Sequence, residues 1–286
     1  MIPPSFSDLG KAAKDLFDKK FLVGVSNVEI ITKKDARTLT VKSKHDHKTK
    51  DLSGNFELKH SNIKAGLDMT LKWCTSNVVV AEISKTYERI KGLKNVGILT
   101  FEPNTGLKSL NFKDSYKREY LNINSEFLFN SKKPDINLNM VLGCTHPKPY
   151  LTGVDLTIDT EGKKLRNHTF ALGYQKSDFG ALITVKNLSM FNAYVYQKIS
   201  SFVDIGVHVS HNKANKENKY GIAGQYQFPD SDDSFIKLKI NQDTMIGLVY
   251  GCTLNNGVQL TLSSEIDGKK LDTGPHNFGV GFVYEQ

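Results

Sequence analysis

No segment of this 286-residue chain is apolar enough to cross a membrane as a helix, which needs ~20 mostly apolar residues. The longest stretch free of Asp, Glu, Lys and Arg runs from Thr244 to Ser264. It contains Asn255, Asn256 and Gly257 and several hydroxyl side chains, so it reads as two strands and a turn. Cysteine is scarce: Cys74, Cys144 and Cys252 lie far apart and form no metal or redox spacing. An odd number fits a compartment that is not strongly oxidising. There is no phosphate-binding loop, nucleophile elbow or zinc motif. No acid–base pair or nucleophile set stands out either, so an enzyme is not expected and no catalytic residue is assigned. The first twenty residues lack the roughly 7–15-residue apolar core and cleavage site of a secretory leader.

What is present is a rhythm of two. Leu67, Met69, Leu71 and Trp73 alternate with Gly66, Asp68, Thr70 and Lys72. The same alternation recurs at Val154–Ile158, Val203–Val209, Ile236–Ile240, Val258–Leu262 and Phe278–Tyr284. Successive strand side chains point to opposite faces, so each segment has one apolar and one polar face. Turn signals separate the segments, among them Asn104-Thr105-Gly106, Glu161-Gly162-Lys163-Lys164, Asn255-Asn256-Gly257 and Asp267-Gly268-Lys269-Lys270. The eight prolines fall at the N-terminus (Pro3, Pro4) or in breaks (Pro103, Pro134, Pro147, Pro149, Pro229, Pro275). That placement suits a closed barrel, whose interior strands tolerate no proline. Residues near His45–Lys48 and Asn212–Lys219 are too polar to place.

The N-terminal segment, 1–24, is different. Leu9, Ala12, Ala13, Leu16 and Phe17 form one helical stripe, with Lys11, Lys14, Asp15 and Asp18 opposite. The spacing predicts a short amphipathic helix over Ser5–Lys19, with Ser7 as N-cap and Gly24 beyond its end.

Two architectures alternate in this way: a membrane β-barrel and a soluble β-sandwich. Three features favour the barrel. The strands run over 25–286 without a linker. Their polar faces carry full charges (Asp68, Lys72, Asp155, Asp159, Lys237, Lys239) while the opposite faces are almost pure Leu, Ile, Val and Phe. Aromatics such as Trp73, Tyr150, Phe228 and Tyr284 sit near strand ends, as in an interfacial girdle. The mean hydropathy of −0.36 is compatible, because a barrel hides half of each strand's side chains in its lumen. At ~9–11 residues per spanning strand the chain accommodates roughly 18–20 strands. A bacterial barrel would carry a secretory leader, so its absence points to a eukaryotic organelle.

The net charge of +8 implies a positive field toward anions, nucleotides, nucleic acid or acidic lipid, without choosing among them. His45 and His47 invite a metal reading, but a polar turn accounts for them without convergent ligands. Asp230, Asp232 and Asp233 read as a solvated loop.

Stretches along the whole chain resemble the voltage-dependent anion channel family of mitochondrial porins. They are Pro3-Pro4 with Asp8-Leu9-Gly10-Lys11, Pro103-Asn104-Thr105-Gly106, Tyr116-Lys117-Arg118-Glu119, Gly173-Tyr174, Tyr196-Gln197-Lys198 and Tyr220-Gly221-Ile222-Ala223. The run from Ile246-Gly247-Leu248 through Leu260-Thr261-Leu262-Ser263 to Asp267-Gly268-Lys269 matches best. The resemblance implies an all-β membrane barrel of about 19 strands, roughly 35–40 Å across, with the N-terminal helix inside the pore. It implies a voltage-dependent, weakly anion-selective diffusion channel of the mitochondrial outer membrane, with excess lumenal lysine drawing in anions. The C-terminal Asn277, Gly279, Phe282 and Tyr284 resemble that membrane's sorting signal.

The resemblance also assigns site residues. Lys11 and Lys19 match nucleotide-contacting positions of the helix, with Lys14 between them. Met245, Ile246, Gly247 and Ser263, Ser264, Glu265, Ile266, Asp267 match two wall stretches that hold a dinucleotide. Gly92-Leu93-Lys94 resembles a short motif linked to nucleotide effects. NAD or ATP would then be a permeant or modulator and not a required cofactor. The implied partners are membrane lipid, permeant anions and nucleotides, and further copies of the chain, but no nucleic acid. One departure stands out: Leu71 occupies a position where many family members have a membrane-facing Glu, so effects tied to that carboxylate do not carry over. The alternatives are a protein-import-type barrel, disfavoured by the positive charge, and a soluble lipid- or ligand-binding β-protein.

Overall fold

A computed structural model of the chain describes residues 2–62, 65–130, 134–144, 149–160, 162–229, 233–254, 257–272, 274 and 276–286. Glu161, Asn255, Asn256, Pro147, Pro275, Asp230 and Asp232, all singled out above, lie outside the described residues.

The strands are β1 (Val25–Lys34), β2 (Arg37–Asp46), β3 (Leu52–Asn62), β4 (Leu67–Cys74), β5 (Val79–Thr86) and β6 (Leu93–Glu102). Next come β7 (Leu107–Arg118), β8 (Leu121–Asn130), β9 (Pro134–Cys144), β10 (Tyr150–Asp159), β11 (Lys164–Gln175), β12 (Phe179–Lys186) and β13 (Met190–Lys198). The chain ends with β14 (Val203–Asn212), β15 (Glu217–Gln227), β16 (Phe235–Asn241), β17 (Met245–Thr253), β18 (Val258–Asp267) and β19 (Asn277–Glu285). All nineteen form one sheet that closes on itself. Sequential neighbours are antiparallel; the closing pair, β1 and β19, is parallel, from Ser26 opposite Val280 to Ile31 opposite Glu285. An odd number of alternating strands requires that parallel seam. Lys33 and Glu285 form an ion pair across it.

Closure leaves no free edge, so every strand finds both backbone partners without water. The pleat then sorts the side chains. Leu71 and Trp73 are 48% and 59% exposed on the outside, and Ile205, Val207, Val209 and Phe282 face outward in the same way. Their neighbours Thr70, Lys72, Asp204 and Ser210 face the lumen. A soluble β-protein would bury the first set, so the soluble alternative does not describe this fold. The two polar segments that resisted placement are strand ends and turns: His45 and Asp46 finish β2, and Asn212 and Glu217 flank the turn between β14 and β15. Pro134 opens β9, a first-strand position where no ladder donor is lost.

The N-terminal segment departs from the expected single helix. A 3-10 turn, Phe6–Asp8, precedes the helix α1, Lys11–Asp18. Ser5, not Ser7, caps that 3-10 turn, its side chain accepting from the Asp8 backbone N–H at 3.3 Å, and α1 itself begins after Gly10 with no side-chain cap. Gly10 breaks the run in the left-handed region (φ 65°), which an L-residue adopts only at a cost. A Cβ there would also lie 2.7 Å from Leu182 Cδ2, so glycine is needed for the close approach as well. Ala12 belongs to the predicted stripe but is exposed to the lumen, whereas Leu9, Ala13, Leu16 and Phe17 are buried.

Candidate functional site

The lumen is the site, and α1 lies against its wall: it packs on β13, β14, β15 and β16, and the turn before it on β9 and β10. Leu9 packs with Val141, Leu151, Ala171 and Leu182. Leu16 and Phe17 pack with Ala223 and the flank of Tyr196. These wall residues occupy the lumenal phase of their strands, where polar side chains are the rule elsewhere. Burying an aliphatic or aromatic side chain contributes about 1.5–3 kcal/mol, so three anchors hold the segment without any ionic help.

Polar contacts fix its two ends. Asn122, fully buried, donates from Nδ2 to the Pro3 carbonyl at 3.0 Å. At the other end Lys237, 4% exposed, donates to the Asp15 carbonyl at 3.0 Å and the Lys19 carbonyl at 3.4 Å. Lys239 donates to the Phe17 carbonyl at 3.1 Å. Wall cations thus satisfy the Phe17 and Lys19 carbonyls and add a second donor to the Asp15 carbonyl, which already accepts from the Lys19 backbone N–H at 3.2 Å. Positive charge there also complements the helix dipole. Lys239 and Lys20 lie 4.1 Å from the ring centroids of Phe21 and Phe235, respectively. Beyond the helix, Lys20 (φ 71°) turns the chain. Leu22 then crosses so close to β19 that a Cβ on Gly279 would collide with its carbonyl oxygen, so glycine is required there.

The helix lysines are not equivalent. Lys11 pairs with Asp8 at 3.2 Å and Lys19 with Asp15 at 3.9 Å, both in the open lumen. Such exposed pairs are weak and leave the cations available. Lys14 lies over the Tyr194 ring at 5.8 Å, and burial there pushes its ammonium below the usual lysine range. The Ser5 hydroxyl, with Lys11 behind it, holds the Asp8 carboxyl below the ordinary aspartate value despite partial burial. Lys11 lines a cavity of about 190 Å3 between the first helical turn and β11–β13; Lys19 lines another of about 260 Å3 against β14–β16.

The two wall stretches assigned by resemblance are brought side by side. Met245 pairs with Asp267, Gly247 with Glu265 and Leu248 with Ser264 in the β17–β18 ladder. The pleat divides them: Met245, Gly247, Ser263, Glu265 and Asp267 share the lumenal phase, while Ile246, Ser264 and Ile266 share the phase of exposed Leu248 and Leu262. Gly92 lies in the turn between β5 and β6, at the opposite end of the barrel, with φ 91°. Asp233 is an exposed residue of the loop before β16. His47 Nε2 lies 2.8 Å from Ser26 Oγ, and among the described residues no group of three His, Cys, Asp or Glu side chains is placed to hold a metal.

The lumenal charge differs from expectation. Lumen-phase strand positions carry Lys33, Lys42, Lys44, Lys59, Lys72, Lys94, Lys113, Lys117, Lys164, Arg166, Lys186, Lys198, Lys219, Lys237 and Lys239. They also carry Glu29, Asp46, Glu57, Asp68, Glu82, Glu102, Glu126, Asp135, Asp155, Asp159, Asp204, Glu217, Glu265, Asp267 and Glu285. Cross-strand pairs such as Lys42–Glu29 (2.8 Å), Lys113–Glu126 (3.0 Å) and Arg166–Asp135 (3.1 Å) interleave the signs. Among the described residues the pore wall is therefore close to charge balance, without the excess of lysine expected inside it.

That excess lies on the turns. At the mouth where β1 begins, hereafter the N-terminal mouth, the described turn residues include Lys48, Lys50, Lys163, Lys213, Lys216, Lys269 and Lys270 against Asp51, Asp243 and Asp272. At the mouth where β19 ends, the C-terminal mouth, they include Arg89, Lys91 and Lys176 against Asp35, Glu88, Glu119, Asp178 and Asp233.

Sequence comparison agrees with this architecture. A family model described as eukaryotic porin matches residues 2–279. The chain is 35% identical to the non-selective voltage-gated ion channel VDAC2 of Meleagris gallopavo, covering 99% of this chain and 95% of that one. It is 34% identical to VDAC2 of Xenopus laevis and 31% identical to VDAC1 of Homo sapiens, each over 99% of both chains.

Proposed function

We propose that this chain, which belongs to the eukaryotic porin family, is a voltage-gated channel of the mitochondrial outer membrane that passes small ions and metabolites with a mild preference for anions. The observation that carries this is the closed barrel with apolar residues outside, charged residues inside and a helix lodged against one wall. Nineteen strands enclose more space than inward side chains fill, so water occupies the remainder. A pore of that width selects by fixed charge and not by stripping hydration shells. Conduction is passive, and no residue needs to perform chemistry.

Gating follows from the helix. It narrows the lumen and carries Lys11, Lys14, Lys19 and Lys20 against Asp8, Asp15 and Asp18, a small net positive charge in a pore that is otherwise nearly balanced. A field across the membrane does work of about 2.3 kcal/mol per elementary charge per 100 mV on charges that cross it. A shift of the helix moves its net positive charge through part of that field, so voltage biases its position.

Nucleotides are proposed as permeant modulators. Their phosphates suit Lys11 and Lys19. In a wall site, the ribose hydroxyls of a dinucleotide suit the carboxylates Glu265 and Asp267, beside Met245, Gly247 and Ser263; Ile246, Ser264 and Ile266 face lipid and take no part. Lipid covers the outer face, and further copies of the chain are candidate neighbours there.

Reconstitution in a planar bilayer tests the proposal. The expected result is a large, stable conductance that falls at high voltage of either sign, with a reversal potential on the chloride side. A bilayer that stays silent at any protein dose overturns it.

A further inference from the structure

We infer that the anion preference of this channel resides at one mouth and not along its wall, so that selectivity depends on which side is dilute. The inference rests on the anion-selective reading proposed above and deepens it. The wall interleaves acids and bases in near balance, so its potential averages out within a few ångströms of water. The mouths do not balance. Among the described turn residues, the N-terminal mouth is dominated by lysine, and the C-terminal mouth has more carboxylates than cations. Lys213, Lys216, Lys269 and Lys270 are all exposed.

Salt decides how far such charges reach. The screening length is about 10 Å at 0.1 M and about 3 Å at 1 M. A ring of charge on a mouth as wide as this one commands the opening in dilute salt and only its own rim in concentrated salt. With dilute solution at the N-terminal mouth, its lysines are unscreened and anions are enriched where the current is limited. With the gradient inverted, those lysines are screened, and the carboxylates of the C-terminal mouth face the dilute side. Two gradients of equal size and opposite direction therefore give reversal potentials of unequal magnitude.

The test uses single channels of the full chain in a planar bilayer under a tenfold KCl gradient. Perfusion inverts the gradient across the same channel, so its insertion direction need not be known. The expected result is an anion preference reproducibly larger in one direction than in the other, on the order of twofold for a roughly threefold difference in screening length. The variant Lys213→Gln/Lys216→Gln/Lys269→Gln/Lys270→Gln neutralises the N-terminal mouth and should cut the difference to less than half, the C-terminal carboxylates supplying what remains, while keeping the wild-type conductance at 1 M KCl, which reports an intact barrel. Arg89→Gln/Lys91→Gln at the other mouth should enlarge it. Equal anion preference in both directions overturns the inference and leaves the anion-selective reading standing. Absence of anion preference in both directions overturns both. A difference undiminished in the four-lysine variant overturns the assignment to these residues.

Discussion

Lys237 reaches from β16 across the lumen-facing surface to donate to the Asp15 carbonyl at 3.0 Å, so a wall cation closes the C-terminal turn of the helix. The bond joins residues 222 apart in sequence and fixes the helix in rotation as well as position. A hydrogen bond to a charged group contributes about 1.5–3 kcal/mol. Carbonyls freed here meet water, which places the loss at the lower end. Lys237→Met keeps the apolar stem and removes the donor. The docked-to-undocked ratio of the helix should fall by about tenfold. Closure at lower voltage, with the steepness of the voltage dependence unchanged because the moving charge is on the helix, is the measurable consequence. Lys237→Arg, which preserves donor and charge, should restore most of the closing voltage.

The apolar anchors predict a larger effect. Leu16 is buried beside Phe17 and Ala223, and large-to-small substitution at such a site costs about 2–5 kcal/mol. In Leu16→Ala a spin label at Ala12→Cys, in a background with the native cysteines replaced, should become mobile. The barrel should keep its strand content, because no strand pairing involves Leu16, while its thermal unfolding moves down by no more than the docking energy lost.

Acidity acts on the same segment, and the sign can be worked out. Asp8 is held below its ordinary value by Ser5 and Lys11, and Lys14 is pushed down by burial. Both groups release protons more readily in the ordered segment than in a free one, so order increases with pH. The Asp8 contribution is complete above the ordinary aspartate value of about 3.9 and is lost as pH falls through its lowered value. The burial of charged Lys14 opposes docking until pH rises into the window between its lowered value and about 10.4. The label at position 12 should therefore loosen on acidification below about pH 4 and tighten on the alkaline side. Asp8→Asn should abolish the acid transition.

On β4, adjacent residues separate lipid from water. Lysine at the lipid-facing midplane of a barrel costs about 2–4 kcal/mol. Leu71→Lys should destabilise the barrel by about that amount in urea titrations from liposomes, whereas Thr70→Lys should be nearly neutral. Equal costs at both positions would contradict the assigned pleat.

Much of this was legible in the sequence. The alternation at Leu67–Trp73, Val203–Val209 and Phe278–Tyr284 placed strands and faces, because a period of two has one structural meaning. The helix was legible as a stripe, but its start was not: Gly10 was visible, whereas its contact with Leu182 depends on a strand far along the chain. The docking track was missed for a related reason. Val141, Leu151 and Leu182 break the polar phase of their strands, a signal that periodicity averages away. Lys237 and Lys239 registered only as a charged face, since nothing local says which lysine meets a carbonyl. Net charge misled about the pore, because it counts turns and wall alike, and only the register separates them.

Cysteine accessibility along β14 tests the central claim most directly. Single cysteines at 203–212, in a cysteine-free background in liposomes, would be probed with a small water-soluble maleimide and a lipid-borne quencher of a reporter. The account predicts a strict alternation: Asp204, Gly206, His208 and Ser210 positions react from water, with the two beneath the helix slower, while Ile205, Val207 and Val209 positions are quenched from lipid. Uniform reactivity along the strand, or protection of Ile205, Val207 and Val209 from both water and lipid, would contradict it.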